Sequence, residues 1–270
     1  MKYLFTLIGA CFLFASTQAQ TLTKIWETDT TIAVPESVLL HKGRLYISLI
    51  DGAGWVDDGK GGIGVMNPDG ADYNGSWISG LSAPKGMGVI GNKLYVADIT
   101  RVAVIDIKKG KLLKTIPFPG AENLNDIVIG KKKTVYISDS KSGKIWQLKK
   151  DQPSLYLANV PRTNGLTFTK NELYFGEGKN FKKINSKKEV STIATLPQEI
   201  DGIEQLANGD FIVTSWPGYI FYVYADGRHV TLLETHQQKI NTADIGIDKK
   251  SNIIYVPTFF GKKIVAYQVK

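Results

Sequence analysis

Six segments of the chain can be laid one over another, and this repeat limits the possible folds more than any other feature. They begin at Val34 ("VPESVLLHKGRLYISLI"), Ala83 ("APKGMGVIGNKLYVADI"), Leu124 ("LNDIVIGKKKTVYISDS"), Thr163 ("TNGLTFTKNELYFGEG"), Ile200 ("IDGIEQLANGDFIVTSW") and Thr242 ("TADIGIDKKSNIIYVPTF"). Each holds a short apolar strand, a Gly/Asn/Lys turn and a second strand centred on Tyr46, Tyr95, Tyr136, Tyr174, Ile212 or Tyr255. A third strand follows in every unit ("GIGVMN", "VAVIDI", "KIWQLK", "FKKINS", "YIFYVYA", "KIVAYQV"), and a fourth in all but the last. Four-strand units recurring every ~40 residues specify an all-β fold, a six-bladed β-propeller with four-stranded blades. The missing strand is present at the other end, as "LTKIWETD" (22–29). An N-terminal strand closing the last blade leaves few free sheet edges. No linker interrupts the pattern, so residues 20–270 are expected to form one propeller domain.

The first nineteen residues stand apart. "MKYLFTLIGACFLFASTQA" has Lys2, an apolar run and a Thr17/Ala19 pair suited to signal-peptidase cleavage before Gln20. A signal peptide over 1–19 implies a periplasmic or secreted protein, and no later stretch is apolar enough to span a bilayer. The single cysteine, Cys11, lies in this leader, so no disulfide is expected in the mature chain. The formal charge of +8 invites a nucleic-acid reading. The lysines are scattered or gathered at turns such as "GKKKT" (130–134), with no recognisable nucleic-acid module. The expected partner is a small molecule, with neither nucleic acid nor membrane, and the oligomeric state is open.

In the six-fold alignment, Glu36, Lys85, Asn125, Asn164, Asp201 and Ala243 hold one place, just before the innermost strand. In a propeller these starts converge on one end of the central channel. Glu36, Asn125, Asn164 and Asp201 would then present oxygen-bearing groups to a common point from four blades. Two carboxylates in a narrow channel repel one another unless a proton or a cation intervenes. Carboxylates with amide carbonyls suit Ca²⁺, with Zn²⁺, Mg²⁺ and Mn²⁺ as alternatives. Asn-Gly and Asp-Gly are also common turn dipeptides. Their shared register, and Glu36 in the unturn-like "PESV", favour a site.

These segments resemble the senescence marker protein/gluconolactonase family, which includes regucalcin, and more widely the six-bladed calcium propellers such as paraoxonase. The resemblance rests on a Glu in "PESVLLHKGRLYIS", Asn-Asp in "NLNDIVIG", Asn-Gly-Leu in "TNGLTF" and Asp-Gly in "IDGIEQL", in that order along the chain. It implies a divalent ion held by Glu36, Asn164 and Asp201, with Asn125 as fourth ligand or as a water and substrate contact. It also implies hydrolysis of lactones or related esters and phosphotriesters, with Asp201 as general base or nucleophile. Lys85 departs from the pattern. Its ammonium would either pair with Glu36 and weaken a metal site, or bind an anionic substrate, or point outward into solvent.

The second strands run back to the same end, so their exit residues Asp51, Asp98, Asp139, Glu177, Trp216 and Phe259 are candidates to line a pocket, or else to cap loops. Lys85, Asp98, Asp139, Glu177 and Trp216 are the substrate-binding candidates. The loop "DGAGWVDDGKGG" (51–62) reads as a lid carrying Trp55, or as a surface loop. Two functions compete: a divalent-metal-dependent hydrolase of lactone or related ester substrates, and a non-enzymatic secreted propeller whose metal is structural.

Overall fold

The computed structural model describes residues 19–29 and 31–270. Of the signal peptide expected at 1–19, all but Ala19 lies outside the described residues. The chain forms six four-stranded antiparallel sheets, each the blade of a propeller. Among the described residues the only helical pieces are three 3₁₀ turns of three residues each.

Five blades are built from consecutive strands. The sixth joins Gly246–Asp248, Ile253–Pro257 and Ile264–Val269 to the N-terminal strand Leu22–Glu27, which takes the outermost place. This is the closure expected from "LTKIWETD". The strand pairs antiparallel with Ile264–Val269, from Leu22 opposite Val269 to Glu27 opposite Val265. Trp26 packs near Tyr255 at 6.1 Å between ring centroids, and Lys263 bonds Glu27 at 2.7 Å.

Each blade is apolar where it meets its neighbours, because alternate residues of its middle strands face opposite sides of the sheet. Each junction accordingly has its own apolar cluster. Tyr46, Ile63 and Val65 meet Met87, Leu94 and Val96 between the first two blades. Ile32, Val38 and Leu45 meet Tyr255, Ile264 and Ala266 where the sixth blade returns to the first. Ring and junction aromatics such as Tyr174, Phe181 and Phe211 interleave at about the spacing aromatic pairs prefer, with centroids 4.9–5.9 Å apart.

The inner strands are Pro35–His41, Pro84–Ile90, Leu124–Ile129, Thr163–Thr169, Ile203–Gln205 and Gly246–Asp248. In the first four, pairing with the next strand skips register at the same place: Pro35/Val38, Pro84/Met87, Leu124/Ile127 and Thr163/Leu166. A bulge of this kind re-aims side chains at the rim of a sheet. It falls on the ring residues and the residues that follow them, so Glu36, Lys85, Asn125 and Asn164 lie inside the strand ends rather than before them. Asp201 and Ala243 precede theirs.

Candidate functional site

The structure brings the ring together. Glu36, Lys85, Asn125 and Asp201 are all buried, at 5%, 3%, 8% and 6% exposure, although each is polar or charged. Lys85 points inward: its Nζ lies 3.4 Å from Glu36 Oε1 and 4.2 Å from the centre of the Trp55 ring. The outward-pointing alternative for this lysine is thereby set aside. Asn164 Nδ2 donates to Asp201 Oδ1 at 2.7 Å. Asn125 turns to its own blade, donating to Ser140 Oγ at 3.3 Å. Burial, with the charge of Glu36 adding to it, pushes the Asp201 carboxyl up to about 7, against the pull of Lys85 and Asn164. Burial likewise raises Glu36, while Lys85 lowers it.

Directly beneath lies a second layer that the sequence reading missed, made of the residues after each ring member: Ser37, Gly86, Asp126, Gly165, Gly202 and Asp244. Asp126 accepts the amides of Ile127 at 2.6 Å and Leu166 at 2.5 Å. Asp244 accepts the Ser37 hydroxyl at 2.6 Å. Burial raises both carboxyls well above the ordinary value. The three glycines are explained here. A Cβ on Gly86 would sit 2.5 Å from Asp126 Cα, one on Gly165 2.2 Å from the Asp201 carbonyl oxygen, and one on Gly202 2.6 Å from Asp244 Oδ1. "KG", "NG" and "DG" are therefore places where one blade's backbone passes against the next. The signal was present in the sequence as a column of small or acidic residues one step after the ring.

Below this layer the channel opens to the opposite face in a cavity of about 280 Å³, lined by Glu204, Lys249 and Phe168 among others. Burial pushes the Glu204 carboxyl up to about 7, opposed by Lys249.

The exit residues divide. Asp98 and Asp139 are fully buried and hold loops rather than face the channel mouth. Asp98 accepts the amides of Ser82 at 3.0 Å and Ala83 at 2.9 Å, and Arg101 Nε at 3.0 Å. Asp139 accepts the amides of Glu122 and Asn123 at 3.0 Å each, and Trp146 Nε1 at 3.2 Å. Glu177 is paired with Lys182, and Asp51 is exposed. Trp216 stands on the rim, two residues beyond Thr214, whose carbonyl accepts the Asp201 amide at 2.8 Å. With Phe259 at 5.6 Å and Phe260 at 5.9 Å it forms an aromatic ledge, of which Trp216 is 42% and Phe260 64% exposed. The turn carrying Phe259 packs against the inner strand of Glu36, and Phe259 itself has φ 48°, a conformation costing a non-glycine residue of order 1 kcal/mol.

The loop after Leu49 does reach over the mouth, setting Trp55 above Lys85. It is tied down by Arg101 Nη2 to Asp57 Oδ1 at 2.9 Å and by the Gly59 amide to Ser82 Oγ at 3.2 Å.

As arranged, these residues do not fit a divalent ion. Glu36 Oε2 is buried and has no hydrogen-bond partner among the described residues, which marks an acceptor to spare. Yet the Glu36 carboxylate already has the Lys85 ammonium beside it, Asp201 receives the Asn164 amide N–H, and the Asn125 amide group donates to Ser140 of its own blade.

No protein-family model and no curated protein matches the chain. Solved structures do. A streptogramin B lyase superposes with TM-score 0.68 at 13% identity, over 93% of this chain and 98% of that one. A gluconolactonase from Xanthomonas campestris gives 0.65 at 13%, over 93% and 100%. A luciferin-regenerating enzyme gives 0.64 at 12%, over 93% and 95%. The chain thus has the regucalcin-like six-bladed propeller fold that the resemblance implied.

Proposed function

We propose that the protein is a propeller hydrolase or lyase that opens a lactone or a related ester at the Glu36 mouth of the channel. The observation that carries this reading is the buried trio of Glu36, Lys85 and Asp201, in which Asp201 is tuned to about 7. A general base works best when its pKa lies near the working pH, and buried groups perturbed by neighbouring charge cluster at working sites. In this reading Asp201 takes a proton from the attacking water, or from a carbon next to the carbonyl. Asn164 fixes the carboxylate through its 2.7 Å bond. The Lys85 ammonium faces the negative charge that develops on the carbonyl oxygen as water adds to the carbonyl carbon, or as the neighbouring carbon loses its proton. In hydrolysis that charge returns to re-form the carbonyl as the acyl–oxygen bond breaks, and the proton held by Asp201 passes to the leaving alkoxide oxygen. In elimination it forms the carbon–carbon double bond as the alkyl–oxygen bond breaks and a carboxylate leaves. The fold neighbours that bear the names gluconolactonase and lyase are compatible with this chemistry. The ledge of Trp216, Phe259 and Phe260 beside the mouth favours a substrate with an apolar body.

The test is a screen of the purified protein against alkyl and aryl lactones and aryl esters, beside Asp201→Asn. The expected result is turnover that drops by about 100-fold or more in the variant, the usual weight of general-base catalysis. Turnover indifferent to Asp201→Asn would move the chemistry elsewhere. A second reading, a non-enzymatic propeller that binds a ligand, is favoured by one observation: Trp55 over Lys85 closes the mouth. Absence of turnover across the screen would select it.

A further inference from the structure

We infer that Lys85 is the built-in cation of the channel mouth, a tethered ammonium standing where a divalent ion would otherwise neutralise Glu36 and Asp201. The inference concerns the resting charge of the site and holds whether or not the site turns over a substrate, so it can fail independently of the proposed activity.

Geometry comes first. Lys85 enters from the second blade at the ring position shared by Glu36, Asn125, Asn164 and Asp201. Its side chain is as buried as theirs, and its Nζ lies 3.4 Å from Glu36 Oε1. Lysine is almost never fully buried without a partner, and here the partner is the Glu36 carboxylate. Gly86 locks the backbone beside it, because the next blade leaves no room for a Cβ. Trp55 covers the outer side at 4.2 Å from the ring centre, a cation–π contact. The loop that carries Trp55 is itself held by Asp57 to Arg101 and by Gly59 to Ser82. The ammonium is enclosed from below, beside and above.

Charge follows. Glu36 and Asp201 bring at most two negative charges to the mouth, and Lys85 one positive, while Asp126 and Asp244 in the layer beneath are taken up by the amides of Ile127 and Leu166 and by the Ser37 hydroxyl. A divalent ion added alongside would set two further positive charges against an ammonium already enclosed with Glu36. It would also need ligand oxygens at about 2.3–2.6 Å, which the Glu36–Lys85 pair would have to give up. The ion could enter only by displacing the lysine, and the capped mouth offers that lysine no solvated alternative.

The test is calorimetric and thermal titration of chelator-treated protein with Ca²⁺, Mg²⁺, Mn²⁺ and Zn²⁺, for the wild type and for Lys85→Gln. Glutamine removes the charge and leaves a carbonyl oxygen of suitable hardness. The wild type is expected to show no one-site heat and a Tm unchanged within about 1 °C, while Lys85→Gln gains one site and a Tm rise of about 5 °C or more at saturating ion. One divalent ion bound per wild-type chain, and lost in Asp201→Ala, would overturn the inference. So would a folded Lys85→Gln protein blind to all four ions, since the carboxylates would then be no cation site at all. Should Lys85→Gln fail to fold, the wild-type titration decides alone.

Discussion

At the scale of single residues, the channel mouth sets the protein's sensitivities. Lys85 and Glu36 form a buried pair, and removing one partner leaves the other charged and dry. Lys85→Met alone should cost about 3–5 kcal/mol, whereas Lys85→Met with Glu36→Gln should cost much less. A urea-denaturation cycle over the wild type, Lys85→Met, Glu36→Gln and the double variant measures the coupling. Gly165 makes a separate point. Its Cβ would meet the Asp201 carbonyl at 2.2 Å, so Gly165→Ala should lose about 1–3 kcal/mol through forced backbone movement, whatever its effect on activity. Glu204 gives a pH signature. Its carboxyl moves from an ordinary 4.5 to about 7 on folding, so between those values the folded chain holds a proton that the unfolded chain has released. The contribution of Glu204 to stability is then greatest below about pH 4.5, falls as the pH rises toward 7 and is level above it. Between pH 5 and pH 8 the wild type should lose about 2 kcal/mol more than Glu204→Gln, read from denaturation midpoints. Equal slopes would refute the shift. The six-fold register placed Glu36, Lys85, Asn164 and Asp201 at one mouth because a repeat fixes which residues share a layer. It could not show that Asp98 and Asp139 would be taken up by backbone amides, because that depends on loop geometry the repeat does not encode. Nor did it show Asp126, since a bulge that aims two consecutive residues inward breaks the alternation from which strand faces are read, nor Asp244, which lies outside its strand Gly246–Asp248, where no alternation applies.

At the scale of elements, the loop over the mouth is the part whose behaviour the residues most directly control. Its Trp55 is 40% exposed while resting on Lys85, and Arg101 is its latch, sharing one guanidinium between Asp57 and the loop-holding Asp98. Arg101→Ala should free the loop without unmaking the second blade. The expected result is stronger acrylamide quenching of a protein in which Trp55 is the only remaining tryptophan, together with changed access of small molecules to the mouth. Unchanged quenching would mean that the Gly59–Ser82 bond holds the loop by itself. The sequence reading left lid and surface loop as alternatives. Glycine content sets how freely such a loop bends, but only the partner of Asp57 decides where it rests.

At the scale of the whole molecule, stability is divided among junctions rather than gathered in one core. Every blade is clamped between two others, and the ring is complete only when the strand Leu22–Glu27 lies beside Ile264–Val269. Deleting residues 22–27 should remove the backbone pairing, the Trp26–Tyr255 packing and the Lys263–Glu27 contact together. The sixth blade would then present a bare edge. The expected outcome is a large drop in Tm with self-association, visible in light scattering. A monomer of unchanged Tm would show that the ring stands without its closing strand.

That closing strand also sets an order of events. Thr21 and Lys270 exchange backbone hydrogen bonds at 2.9 and 3.0 Å, so the propeller's first strand to be synthesised is the last to find its neighbour. Until Ile264–Val269 arrives, the early strand waits with its hydrogen bonds unmade, and only then can the circle shut. Contacts between residues so far apart in sequence form slowly. During that wait the same late strand of a second copy would fit the same place, which makes the closing strand the point at which two chains would exchange.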